Sequence, residues 1–290
     1  MKRNSRRKRR KDMKNSKYFA YPYCVWMVFF IAAPMLLVVY YAFINTSAGG
    51  DGGFTLKNFS EIFTDSDINY VVIFLRSLLL AAACTAICLL VGYPVAYLLA
   101  DRKMKIPAVI VLLFIMPMWM NFLLRTYATM NILSTVPLLD RLFMNNINGV
   151  LLGMVYNYLP FMILPIYSSL SKMDPSLIEA ASDLGASPRR TFWKIVFPLS
   201  APGVVSGITM VFMPAVSTFA IATLIGGSKV TIIGDIIQRY FGKMSTWGIG
   251  SALSVVLMLF IILSMLITAV ANARSGKQKQ TRSRGVKNHA

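Results

Sequence analysis

Charge is what this sequence has least of. Only 14% of its 290 residues are Asp, Glu, Lys or Arg, and only 11 of those are acidic. A soluble domain carries about 25% charged residues, so these few cannot coat a globular surface of this length. Hydrophobic residues make up 56% of the chain, which excludes disorder along its whole length. Histidine is almost missing: the single one, His289, is the penultimate residue. That argues against multi-histidine metal sites and histidine-dependent catalysis. Cysteine numbers three, too few to suggest a disulfide framework or a structural metal set. Cys24 falls in the first apolar run. Cys84 and Cys88 stand one helical turn apart in the second, where they read as small packing residues. The class that remains is a membrane protein.

Six segments are long enough to cross a bilayer, which takes roughly 20 apolar residues. They are 22–44, 71–99, 106–124, 146–170, 202–225 and 249–271. The expected fold is therefore all-α, a polytopic protein of six transmembrane helices. The first apolar run is longer than the ~7–15 residues of a signal-peptide core, so it reads as an uncleaved helix. Pro34, Pro94, Pro117, Pro160, Pro165 and Pro214 fall within the segments. Proline removes a helical hydrogen bond and bends the helix, which membrane helices tolerate where neighbours or water satisfy the freed carbonyl.

The balance of 30 Lys and Arg against 11 acids gives a net charge of +19. Its location argues against nucleic acid. Ten of the cations precede residue 18 and six follow residue 273, so basic tails flank the apolar segments. With both tails inside, the inner loops add Arg102, Lys103 and Lys105, then Lys172, Arg189, Arg190 and Lys194. The opposite side keeps seven, among them Lys57, Arg76, Arg125 and Arg141, and carries the acids Asp51, Glu61, Asp65 and Asp67. This bias predicts both termini in the cytoplasm. The domains follow: a basic tail over 1–21, a membrane domain over 22–271 containing an inner loop at 172–202, and a second basic tail over 272–290.

That inner loop carries the most information. Asp174-Pro175 is a helix start, an N-cap side chain followed by proline at the first position. Leu177, Ala180, Ala181 and Leu184 then share one helical face. Gly185 stands where a helix C-terminus favours glycine. Ser187-Pro188 starts a second helix through Phe192, Trp193 and Val196, expected to be disturbed at Pro198. An amphipathic pair resting on lipid is the competing reading. Alanines bury little area, however, and Glu179 and Asp183 suit anionic headgroups poorly. A surface for docking a cytoplasmic protein fits better.

Glu179-Ala180-Ala181, three residues, Gly185, nine residues, then Ile195 and Pro198 resembles the EAA loop of ABC-importer permeases. Phe197 replaces the usual leucine, and both are bulky and apolar. The resemblance extends over about 20–275. It implies that Glu179, Ala180, Ala181, Asp183, Gly185 and Ala186 couple the membrane domain to an ATPase. It also implies a second permease, related but different, two ATPase subunits docking at 172–202, an external substrate-binding protein and a bacterial inner-membrane location. No phosphate loop of the form G-x-x-x-x-G-K-[ST] occurs, Gly227-Ser228-Lys229 and Gly242-Lys243-Met244 being the nearest approaches. No cofactor is expected in this chain, with ATP and Mg on the partner ATPase.

Within that family the chain is most similar to the polyamine (spermidine/putrescine) permeases, through the stretch from Trp119 to Tyr127 and the run Met162 to Tyr167. Permeases for thiamine, iron or phosphonates share part of this pattern. A polycation prefers carboxylates and aromatic faces, yet no acid lies inside the six segments. Trp119, Asn121, Tyr127, Tyr156, Asn157 and Tyr158 are the polar and aromatic candidates for a substrate path, though each also suits an interfacial belt or helix packing. Asp235 is the carboxylate best placed to meet a cation, and it equally suits a pair with Arg239 at i, i+4. A secondary transporter is the weaker alternative, since that class often relies on intramembrane carboxylates or broken-helix ion sites. An intramembrane enzyme would need a motif such as H-E-x-x-H or G-x-S-x-G within a span, and none is found.

Overall fold

The computed structural model describes residues 21–23, 25–46, 52–64, 68–101, 108–227 and 229–287. Cys24, the basic stretch 1–17, the loop cations Arg102, Lys103 and Lys105, the acids Asp51, Asp65 and Asp67, and His289 lie outside them. The regular elements are helices: α1 (Ala33–Ala42), α2 (Lys57–Thr64), α3 (Tyr70–Ala100), α4 (Ala108–Ile115), α5 (Phe122–Thr135), α6 (Pro137–Phe143), α7 (Ile147–Ser171), α8 (Ser176–Asp183), α9 (Pro188–Thr191), α10 (Phe197–Ser217), α11 (Ile233–Phe241) and α12 (Trp247–Lys287). Among the described residues the β contact is an isolated antiparallel bridge, Ile44 to Phe54.

Among the described residues five stretches are long and apolar enough to span a membrane: Tyr21–Ala42, Tyr70–Ala100, Ile147–Ser171, Pro188–Ser217 and Met244–Ala269. A sixth candidate is a bent pair, Val109–Trp119 with Phe122–Thr135, turned by 96°. The third predicted segment therefore does not end at 124. It breaks at Met120, whose backbone is extended, and resumes where Asn121 caps α5 by accepting from Leu123 N at 2.9 Å.

The fifth segment differs more. Pro198 disturbs the helix from Ser187-Pro188 without ending it. A π turn at Phe192–Val196 precedes the proline, and the N–H of Phe197 bonds Phe192 O. The wider turn absorbs the missing proline donor, and α9 runs on into α10 as one 30-residue helix. That helix stops at Ser217, before extended Thr218. The apolar residues after it are packing residues: Ile221 and Ile225 sit so close to Gly149 and Gly153 that side chains there would collide with them. At the C-terminal end, α12 continues past 271 to Lys287.

The chain forms two compact units, Met1–Asp65 with Arg239–Val256, and Ser66–Gln238 with Leu257–Ala290. In the first, Asn58 of α2 is buried and donates from Nδ2 to Ala42 O (3.0 Å) and Ile44 O (2.9 Å). Phe43 stacks on Phe54 across the bridge. Trp247 meets Tyr41 edge-on and donates from Nε1 to Phe241 O at 3.1 Å, while Gly248 N donates to Thr46 Oγ1 at 2.8 Å. A Cβ on Gly248 would stand 2.7 Å from Asn58 Nδ2.

In the second unit α3, α7 and α10 pack together. The buried face of α3 carries Ala81, Cys84, Cys88, Gly92 and Ala96. Both cysteines are free thiols, packed as small residues. Helices in lipid associate through small residues that admit close backbones, and α10 follows suit. A Cβ on its Gly203 would lie 2.7 Å from Pro165 O, and one on Gly207 would lie 2.7 Å from Met162 Sδ. Ser77 of α3 accepts from Ile233 N at 2.8 Å, fixing the start of α11.

Candidate functional site

Between α7 and the long helix beginning at Pro188 stands α8. Asp174 Oδ1 accepts from Ser176 N at 3.1 Å, the side-chain cap that the sequence predicts. At the other end Gly185 has φ +74°. Ala186 N donates to Ala181 O (3.0 Å) and Gly185 N to Ser182 O (2.9 Å). This is the Schellman pattern, in which a left-handed residue lets the chain reverse while satisfying the last carbonyls. Nothing lies within 4 Å of a Cβ built on Gly185, so its requirement is conformational.

The predicted apolar face of α8 is split. Ala181 is buried, but Leu177 and Ala180 are exposed and Leu184 is 88% exposed. On the helix's other side Ile178, Glu179, Ser182 and Asp183 line a cleft of about 620 Å³. Tyr97 and Asp101 at the end of α3, with Leu170 in the last turn of α7 and Met173 just after it, close it. The carboxylates of Glu179 and Asp183 thus border a cavity beneath the helix, while Leu177, Ala180 and Leu184 project away from it. Ala186 is half-buried.

Aromatic rings join this loop to the bundle. Phe192 in the π turn meets Tyr93 at 5.8 Å and Tyr97 at 5.6 Å, both nearly edge-on. Trp193 meets Phe197 at 5.3 Å. The Tyr93 and Ser200 hydroxyls lie 2.9 Å apart. The loop is thus joined to the bundle in two ways: along the continuous helix and through α3.

The candidate path residues do not converge on one place. Trp119, Tyr127 and Tyr156 are exposed on helix surfaces, and Asn121 is the cap at the α4–α5 bend. Asn157 is buried and donates to Gly153 O (2.9 Å) and Thr126 Oγ1 (3.4 Å). Tyr158 is also buried, its hydroxyl donating to Pro214 O at 3.4 Å and its ring stacked on Phe122. Asn157 and Tyr158 thus meet the first two turns of α5. Asp235 is buried elsewhere and accepts from Thr223 Oγ1 at 3.0 Å.

Sequence reasoning passed over Arg125. Counted there with the outer charges, it lies in the first turn of α5 and is only 4% exposed. Its Nε and Nη1 find no acceptor among the described residues. The available signal was the α5 stretch itself, apolar enough to continue the third segment with Arg125 as its one charge. Tyr93 and Ser200 were missed as well.

The apolar spans, the small-residue core and the capped helix between spans define a membrane transport permease. The chain belongs to the family described as binding-protein-dependent transport system inner membrane component, which matches residues 92–277. It is 33% identical over 261 residues to the spermidine/putrescine transport system permease protein PotB of Haemophilus influenzae, covering 85% of this chain and 90% of that one. To PotB of Escherichia coli it is 35% identical over 256 residues, covering 83% and 92%. The fold is also that of the crystal structure of a bacterial ABC transporter that imports the acidic polysaccharide alginate. There the TM-score is 0.66 at 15% identity, covering 92% of this chain and 98% of that one.

Proposed function

We propose that this chain is the permease subunit of an ATP-driven importer for spermidine and putrescine. The observation that carries the substrate is identity of 33–36% to several PotB proteins across more than four-fifths of this chain. In this reading a related second permease completes the path, and an external binding protein delivers the polyamine. Two ATPase subunits, holding ATP and Mg, dock at 172–202. Both termini and α8 face the cytoplasm, so a reporter fused after residue 185 reports the inside.

The coupling residues are Glu179, Ala180, Ala181, Asp183, Gly185 and Ala186. What supports this role is the shape of α8: a short capped helix with Leu177, Ala180 and Leu184 projecting and a reversal at Gly185. A projecting helix of this size can seat in a partner's cleft. Trp119, Asn121, Tyr127, Tyr156, Asn157, Tyr158 and Asp235 remain the proposed path residues, with the exposed aromatics offering faces to a polycation.

A second reading, an importer of an anionic solute of the phosphonate type, has the buried guanidinium of Arg125 in its favour. The deciding experiment is uptake in cells lacking only this chain, alongside co-purification of its partners. Loss of ATP-dependent spermidine or putrescine uptake supports the first reading. Unchanged polyamine uptake, with no redundant system present, overturns it.

A further inference from the structure

At the end of α3 far from α8, Val72, Leu75, Leu79, Leu80 and Ala83 form a groove of about 450 Å³ with Ile147 at the start of α7. Arg76 is the one charged residue lining it. Arg76 is exposed and has no ion pair or hydrogen bond among the described residues. We infer that this groove is a binding site for an anionic phospholipid, with an acyl chain against the leucines and the phosphate on Arg76.

Three observations carry it. The lining is aliphatic apart from the guanidinium, so a polar solute would find no hydrogen bonds along the groove and a polycation would be repelled at its end. A guanidinium is the side chain best matched to a phosphate, which it binds through paired N–H donors. Its depth also suits the contact. Arg76 lies six residues into α3, about 9 Å along the axis, where a long cationic side chain can still reach the headgroup level.

The rival occupant is a helix of a second permease chain. Helices in membranes approach through small residues, and on α3 the small residues Ala81, Cys84, Cys88 and Gly92 face the opposite way, already packed. The groove face presents Leu75 and Leu79 instead, Leu79 being 71% exposed. A flexible acyl chain conforms to such a ridge more readily than a rigid helix does. The lipid is anionic because Arg76 brings a charge that no described residue pairs with.

The test uses the complete transporter, reconstituted in phosphatidylcholine nanodiscs with and without phosphatidylglycerol. Bound lipid is counted by native mass spectrometry after a detergent wash. The parent should retain phosphatidylglycerol, and Arg76→Gln should retain about ten-fold less, the loss of one charged contact. Arg76→Lys should fall between them, and Leu79→Trp, which fills the groove, should release the lipid with Arg76 intact. Equal retention by the parent and Arg76→Gln overturns the proposal. So does efficient cross-linking of the Leu79→Cys variant to the second permease, which would make the groove a subunit interface.

Discussion

Tyr93 and Ser200 stand 107 residues apart, and their hydroxyls meet at 2.9 Å. Ser200 Oγ also donates to Phe197 O at 3.0 Å, which leaves Tyr93 as donor to Ser200. The bond ties α3 to the first turn of α10, just where the helix leaves the loop region. Tyr93→Phe and Ser200→Ala should each destabilise the protein by about 1 kcal/mol, read as a lower thermal midpoint. The double variant should be less destabilised than the sum of the two singles, because they share the bond. Strictly additive losses would show that the hydroxyls do not interact.

Gly185 tests the reversal after α8. A β-branched residue at φ +74° costs roughly 1–3 kcal/mol locally, and Gly185→Val should redirect the chain entering α9. Membrane level should remain near normal, while ATPase co-purification and uptake fall. Gly185→Asn should keep most activity, since asparagine tolerates this conformation. Glu179→Lys should weaken ATPase association without affecting insertion. Parental behaviour from both Gly185→Val and Glu179→Lys would make the loop a passive connector.

Asn58 satisfies two carbonyls from a buried position. Asn58→Ala leaves Ala42 O and Ile44 O without their donor and should cost about 1–3 kcal/mol. Limited proteolysis should then cut faster around residues 42–64 than in the parent. Unchanged cleavage would mean that the segment is held by Phe43, Phe54 and Trp247 alone.

Among the described residues Arg125 finds no acceptor for two of its nitrogens, so their packing does not explain its charge. Replacing an unpaired buried charge by an apolar residue of similar length should not lower stability. Arg125→Met should unfold no earlier than the parent, with a gain on the order of 1 kcal/mol, while transport falls. An intramembrane charge is most often functional. Parental uptake by Arg125→Met would remove Arg125 from the mechanism, and with it the main support for an anionic solute.

Most of the fold was legible because membrane spans follow from one variable, the length of an apolar run. Both caps of α8 were legible for a similar reason: Asp174 and Gly185 act on backbone within four residues of themselves. Long-range pairing was not. Nothing local marks Tyr93 for Ser200, or Asn157 for Thr126. The break at Met120-Asn121 and the continuity through Pro198 were also hidden. A proline signals a missing donor, but only the surrounding turn decides whether the helix widens to absorb it.

The contact between Thr46 and Gly248 sets a delay in the making of this protein. Its two halves are separated by 202 residues. At ~5–20 residues per second, synthesis of the second half follows the first by about 10–40 s. Throughout that interval Tyr41 lacks Trp247 and Thr46 lacks its backbone donor. A nascent chain stalled before residue 247 would therefore carry the Ile44–Phe54 bridge without the partners that Trp247 and Gly248 supply.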